Sequence, residues 1–294
     1  MELDLFKSFL AVADARSFSR AARTVHSTQP TLSRQIGRLE TELGTRLFER
    51  YGRHVELTFN GQLLLPLVQA IVARTEDAIS LMKEQAGAGA STVRLGAVGN
   101  VFALVLTPIL VSFLATYPKV TVDLIEKDDA ALEEAVISGE LDCAVITPWG
   151  SSRAATQYLL TEEIFLVVAR SHRLAAVNAI TIDMLDHEAI LLPRATMNAG
   201  NIVADAIRRA GYEPKFSYRA NYPELTKALV RRGLGVAPMP KTLIAPLEGL
   251  VAIPFEKPLT RDLVFIYPRD RPLTAATRAV MGHVRAGVQH QAGA

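Results

Sequence analysis

Apolar residues recur every three or four positions from the start of the chain, and that period predicts helices. Leu3, Phe6, Phe9, Leu10 and Ala13 form a first amphipathic stripe ending near Arg16. A second helix, about Ser19 to Val25, carries Ala21 and Ala22, small enough for another helix to cross closely. His26-Ser27-Thr28-Gln29-Pro30 interrupts the pattern; Ser27 or Thr28 can cap a new helix, and Pro30 suits its first turn. That third helix has an apolar back of Leu32, Ile36, Leu39 and Leu43, a polar front of Gln29, Thr31, Ser33, Arg34 and Arg38, and Gly44 as its stop. Two short helices across a tight turn, the second with a hydrogen-bonding face, have helix-turn-helix geometry. Val55-Glu56-Leu57 then alternates like a strand, giving a small hairpin, or wing, with Gly52 and Arg53 at its tip.

From Thr58 a long helical pattern runs to about Gln85. Leu64, Val68, Ile71, Thr75, Ala78 and Met82 follow steps of four and three, a coiled-coil seam, and Leu67 and Leu81 widen its apolar surface. Pro66 falls inside this helix, near its start, where a bend is expected. Ala86-Gly87-Ala88-Gly89-Ala90-Ser91 reads as a hinge and a domain boundary. Beyond it strands and helices alternate. Strands are expected at Val93–Val98, Val120–Ile125, Cys143–Ile146, Ile164–Ala169, Ala189–Leu192, Lys215–Tyr218, Gly235–Ala237 and Leu263–Tyr267. Helices are expected at Ala103–Tyr117, Ala130–Ser138, Ile202–Ala210, Glu224–Arg232 and Ala275–Val288. Such alternation indicates an α/β domain, here of two lobes. The predicted organisation is a DNA-binding domain over 1–58, a linker and dimerisation helix with hinge over 59–90, and an effector-binding domain over 91–294. Lobe I takes about 91–161 and 268–294, and lobe II about 162–267.

Charge sharpens the reading of the first domain. Arg16, Arg20, Arg23, Arg34, Arg38, Arg46, Arg50 and Arg53 face only Glu40, Glu42 and Glu49, a surplus of five in a chain whose net charge is +2. A local excess of that kind is the footprint of a surface that meets phosphates. The fork of Arg34 fits guanine O6 and N7, and Gln29 can pair with adenine N6 and N7. Thr31 and Ser33 are short enough for a phosphate or a thymine methyl. Arg38 can reach a phosphate, or pair with Glu42 four residues on.

The run Ser17-Phe18-Ser19-Arg20-Ala21-Ala22, then Gln29-Pro30-Thr31-Leu32-Ser33-Arg34-Gln35-Ile36, Leu39-Glu40, Leu43-Gly44, Leu47-Phe48-Glu49-Arg50 and Leu57-Thr58 resembles the N-terminal signature of LysR-type transcriptional regulators. The resemblance spans some sixty residues without a gap, with Ser27 and Asn60 as departures. Farther on it rests on Gly139-Glu140-Leu141-Asp142 and on Gly233 to Pro240. It implies a winged helix-turn-helix, a long linker helix and a two-lobed sensor like a periplasmic binding protein. It implies double-stranded DNA, a small-molecule effector and the chain itself, as dimer or tetramer, as partners, and RNA polymerase if the protein activates. The DNA-facing set it implies is Ser19, Thr28, Gln29, Pro30, Thr31, Ser33, Arg34, Arg38, Arg50 and wing Arg53.

Two α/β lobes bind small molecules where loops at strand C-termini meet. The candidate effector residues are Gly99, Asn100, Val101 and Phe102 after the first strand, Thr147 and Trp149 after the third, and Thr196, Met197, Asn198, Asn221 and Tyr222 on the other lobe. A helix opening at Gly99 offers free N–H groups to a carboxylate, so an organic acid, with an aromatic group, is the expected effector class.

No resident cofactor, metal or catalytic set is expected. The six histidines are scattered, and the single cysteine, Cys143, lies in the apolar run Cys143-Ala144-Val145-Ile146, which excludes an internal disulfide and fits a reducing compartment. Gly233-Leu234-Gly235 lacks the third glycine of a dinucleotide fingerprint. The apolar runs read as short of the roughly 20 residues a membrane span requires, and the Met1-Glu2-Leu3-Asp4 start is unlike a signal peptide, so a cytoplasmic location is expected. The rival reading, a solute-binding protein of a transport system, would need export.

Overall fold

The computed structural model describes residues 2–51, 54–85, 91–150, 152–192, 198–213, 215–219 and 222–292. The chain divides into two compact units, Met1–Ala88 with Ile137–Glu140, and Gly89–Val136 with Leu141–Ala294.

In the first unit, α1 (Leu3–Ala15), α2 (Phe18–Thr24) and α3 (Gln29–Leu43) precede an antiparallel wing of β1 (Phe48–Tyr51) and β2 (His54–Leu57), then α4 (Phe59–Gln85). Local chemistry sets the boundaries. Ser17 Oγ caps α2 by accepting from Arg20 N (3.4 Å). Of the two candidate caps for α3, Thr28 serves: its Oγ1 accepts from Thr31 N (3.4 Å), with Pro30 in the first turn. Gly44 closes α3 at φ +67°, a backbone state that disfavours any side chain. Leu32, Ile36 and Leu39 bury against Phe9, Val12, Ala21 and Phe18 as the stripe predicts. Leu43, the fourth member, is half exposed, because the helix ends there and runs past the core. Phe48 fastens the wing to the helices, its ring 5.3 Å from Phe9 and 6.1 Å from Phe18.

On α4 the stripe differs from the predicted seam. Val68 is fully buried and Leu64 packs against the helical core, so both serve their own domain. Ile71 and Met82 of the predicted seam are exposed, and the exposed apolar surface extends to Phe59, Leu63, Leu67 and Ile79. Pro66 lies within the helix.

The second unit is built on a six-stranded mixed sheet in the order β4-β3-β5-β10-β6-β9. Its elements are β3 (Ser91–Ala97), α5 (Gly99–Val101) leading through a π-turn (Phe102–Leu106) into α6 (Thr107–Thr116), β4 (Val120–Glu126), α7 (Asp129–Ser138), β5 (Cys143–Ile146) and β6 (Ala155–Ala169). They continue with β7 (Ala189–Leu192), α8 (Asn198–Arg209), β8 (Lys215–Arg219), α9 (Pro223–Arg231), β9 (Ala237–Pro240), β10 (Leu250–Tyr267) and α10 (Ala275–Ala292), and β7 pairs parallel with β8. β3 lies parallel to β4 and β5, whereas β10 runs antiparallel to β5 and β6.

Two strands are far longer than the apolar runs suggest. β6 and β10 pair along both lobes: Leu159 and Val264 to Ile266 enter the lobe I core, while Ile164, Leu166, Ile253 and Phe255 enter that of lobe II. The pairing breaks between Pro254 and Leu259, where Pro258 has no N–H to give. Near their middle, Glu162 and Arg261 are buried partners: Arg261 Nε donates to Glu162 Oε1 (2.7 Å), and Thr242 N (3.1 Å) and Oγ1 (2.8 Å) donate to Oε2.

The continuous run Gly99–Thr116 is 18 residues of mean hydropathy 1.9, long and apolar enough to cross a membrane by length and composition. That departs from the expectation of short apolar runs, because the helix opening at Gly99 continues without a break into the one expected from Ala103. One face of the run, Val101, Val105, Leu106, Ile109, Leu110 and Phe113, packs in the lobe I core. Pro108 cannot donate to the preceding turn, and there the helix widens: Thr107 N and Oγ1 (2.7 Å) both donate to Phe102 O, five residues back.

Candidate nucleic-acid interface and effector cleft

Burial of Leu32, Ile36 and Leu39 fixes the rotation of α3, and its other side follows from that. Gln29, Pro30, Thr31, Arg34 and Arg38 are exposed, Ser33 is half-buried, and Ser19 is exposed on α2. The front is therefore a row of donors and acceptors on a rigid back. The hydroxyls of Thr28 and Thr31 lie 2.8 Å apart, so Thr28 is both a cap and a partner of its neighbour. Arg38 is held by two acids, Glu2 (3.1 and 3.2 Å) and Glu42 (3.0 Å). The Glu2 hydrogen bond, with Glu42 adding to it, raises the guanidinium pKa above its ordinary value. Arg38 thus meets the ion-pair reading, extended by an acid the sequence pattern did not connect to it. The wing register brings Arg50 opposite Val55; the Arg50 side chain and Arg53 lie outside the described residues.

Glu40, on the flank of α3, is a residue sequence reasoning missed. Its Oε1 accepts from Leu47 N (2.8 Å) and Phe48 N (3.2 Å), tying α3 to the first strand of the wing. Seven and eight residues of separation leave no periodic signal for it.

In the second unit a cleft of about 700 Å³ opens where α5 and the end of β4 meet the start of α9 and Leu243. Of the predicted effector residues, Gly99, Asn100 and Tyr222 line it. Val101 does not: one helical step past Asn100, it is turned into the lobe I core in phase with Val105. Phe102 packs on the same core. Thr147 is buried, its N–H bound to Asp129 Oδ1 (3.0 Å), and Trp149 is half exposed away from the lining. Thr196, Met197, Asn221 and the Asn198 side chain lie outside the described residues.

The lining adds Ala103, Leu104, Glu126, Lys127, Asp128, Pro223 and Glu224. Glu126 ends β4, so the rule that sites form at strand C-termini, applied to β4 as it was to β3, would have found it. Asp128 Oδ1 caps α7 through Ala131 N (3.0 Å), and Glu224 Oε1 lies 2.5 Å from Nζ of Lys227, which is 1% exposed. Asn100 Oδ1 is buried and accepts from no donor among the described residues. Gly99 allows a close approach: a Cβ there would stand 2.7 Å from Cδ of Glu126. Among the described residues no group of three or more His, Cys, Asp or Glu side chains is placed to hold a metal ion.

A helix-turn-helix head with a basic face, joined in one chain to a two-lobed α/β domain with a cleft, defines a DNA-binding regulator that carries its own small-molecule domain. Residues 3–62 match the "Bacterial regulatory helix-turn-helix protein, lysR family", and residues 86–289 the "LysR substrate binding domain". The chain belongs to the LysR family of transcriptional regulators. The regulator BudR of Raoultella terrigena is 32% identical over 248 residues, 83% of this chain and 86% of BudR. A full-length OxyR variant from Pseudomonas aeruginosa shares the fold with a TM-score of 0.76 at 22% identity, over 97% of this chain and 98% of that one. Full-length CbnR complexed with its target DNA gives 0.69 at 22% identity, over 98% and 100%. The transport-protein reading does not fit a chain that carries this head.

Proposed function

We propose that the protein reads a specific operator through α3, with Gln29 and Arg34 contacting bases, Thr31 and Ser33 supporting them, and wing Arg53 reaching the backbone or minor groove. The observation that carries this reading is the exposed row of Gln29, Thr31 and Arg34 on a helix whose back is locked in the core. Residues 1–58 act as the head, 59–90 as the dimerising linker and 91–294 as the sensor. The exposed apolar surface of α4 between Phe59 and Met82 pairs with that of a second copy, giving dimers that assemble as tetramers. The protein acts in the cytoplasm without catalysing a reaction, and contacts RNA polymerase where it activates. An effector in the cleft favours one arrangement of the lobes and so shifts how the heads engage DNA; equal affinity for both arrangements would shift nothing.

The test is a titration against sites selected from a random DNA library, with scrambled duplexes as reference and salt varied. Arg34→Ala is expected to cost about 1–3 kcal/mol on selected sites and little on scrambled DNA. Equal losses on both reduce Arg34 to a backbone contact, and no binding at low salt sinks the reading.

A further inference from the structure

The walls of the cleft argue about what enters it. Half of the lining is apolar: Val98, Ala103, Leu104, Tyr222, Pro223 and Leu243. The charged members are three acids, Glu126, Asp128 and Glu224, against one base, Lys127. The acids differ in what already engages them. Asp128 caps α7, and Glu224 pairs with Lys227. Glu126 makes no hydrogen bond or ion pair among the described residues. Its carboxylate packs on the bare Cα of Gly99, where the sequence pattern placed an incoming carboxylate. An acid arriving there would meet a resident acid at van der Waals range, and two carboxylates sharing a site repel. On the same cleft, Asn100 Oδ1 is a buried acceptor to which no described residue donates, a costly state that a ligand N–H relieves. Two acceptors in one cleft with apolar walls, neither given a donor by the described residues, ask for a cationic donor with an apolar body.

We infer that the cleft takes a small organic amine, its ammonium held by Glu126 and Asn100 Oδ1 and its apolar body against Leu104, Tyr222 and Leu243. This rests on the cleft being the effector site and replaces the acid expected from the sequence. An ammonium supplies three donors, which suits two acceptors lining one cleft; a carboxylate supplies none.

The test uses the full chain and matched probes differing only in the charged end: phenethylamine with 3-phenylpropionate, and cyclohexylmethylamine with cyclohexylacetate. Calorimetric titrations on wild type, Glu126→Gln and Ala103→Trp are run at one pH and ionic strength. Each amine is expected to bind at least tenfold more tightly than its acid. Glu126→Gln is expected to weaken the amines at least tenfold with the thermal midpoint of the free protein unchanged, and Ala103→Trp to abolish binding by filling the cleft. Acids binding as well as amines, or a Glu126→Gln variant with an unchanged ratio, overturn the amine while leaving the cleft as the site. Failure of every probe, or binding indifferent to Ala103→Trp, overturns the cleft itself and the inference with it.

Discussion

Glu40→Ala isolates how far the recognition helix depends on the wing. One carboxylate oxygen serves two backbone donors, at 2.8 Å and 3.2 Å, and both belong to residues that are almost fully buried, Leu47 at 1% and Phe48 at 6% exposure. Hydrogen bonds to a charged partner contribute roughly 1.5–3 kcal/mol each, and an abandoned buried N–H costs about 1–3 kcal/mol. Because the two bonds share one acceptor they do not add fully, so about 2–4 kcal/mol is expected for the alanine. Glutamine keeps a neutral oxygen in place and should lose about half of that. Against a typical total of roughly 5–15 kcal/mol the alanine effect is large. The assay is urea unfolding of the full chain followed by two signals. Far-UV circular dichroism sees both units, whereas the single tryptophan, Trp149, lies in the second. The loss should appear in the dichroism transition and leave the Trp149 transition in place. It should persist at 1 M KCl, since the partners are neutral N–H groups that salt does not screen away. Affinity for a selected DNA site should fall alongside. An alanine variant within about 0.5 kcal/mol of wild type, the scale of an unremarkable surface change, would refute the reasoning.

Three further outcomes are expected. Leu67→Lys, at a position 61% exposed on α4, should dissociate the dimer in analytical ultracentrifugation while the monomer's dichroism stays native. Arg261→Met strands buried Glu162 and should cost about 3–5 kcal/mol by Trp149 fluorescence, whereas the double Glu162→Leu, Arg261→Met should recover most of it. Cys143 is fully buried, and burial, with Asp142 adding to it, pushes its thiol well above the ordinary range. A thiol reagent should label it only in denaturant. Above about pH 8.5 the unfolded chain loses that proton and the folded chain keeps it, so stability falls by about 1.4 kcal/mol per pH unit, and Cys143→Ala should remove that slope.

What the sequence disclosed divides along physical lines. α3 was legible because each of its signals is local: a cap at Thr28, a stop at Gly44 and a stripe at Leu32, Ile36 and Leu39. β6 and β10 were read only at their apolar ends, since Glu162, Glu163, Pro254 and Pro258 break the pattern that marks a strand. They persist because each segment pairs with the other across about a hundred residues. The α4 seam slipped at its N-terminal end because periodicity shows that Leu64 and Val68 seek cover but not whether the cover is a second copy or their own domain. In the cleft, Gly99 and Asn100 were legible from the end of β3. The carboxylate of Glu126 comes from the neighbouring strand, and only parallel pairing, with Ala97 beside Glu126, brings it there.

The π-turn at Phe102–Leu106 bears on how such chains diverge. It holds one residue more than a regular helix would over the same rise, so Gly99 and Asn100 stand about 100° around the axis from where an unbroken helix would aim them. Deleting one residue there would turn the cleft-lining end while leaving Ile109, Leu110 and Phe113 seated. A single-codon deletion or insertion at Phe102–Leu106 is thus a route by which a gene of this kind can change what its product senses in one step, at the cost of reseating Val101 and Val105 in the lobe I core.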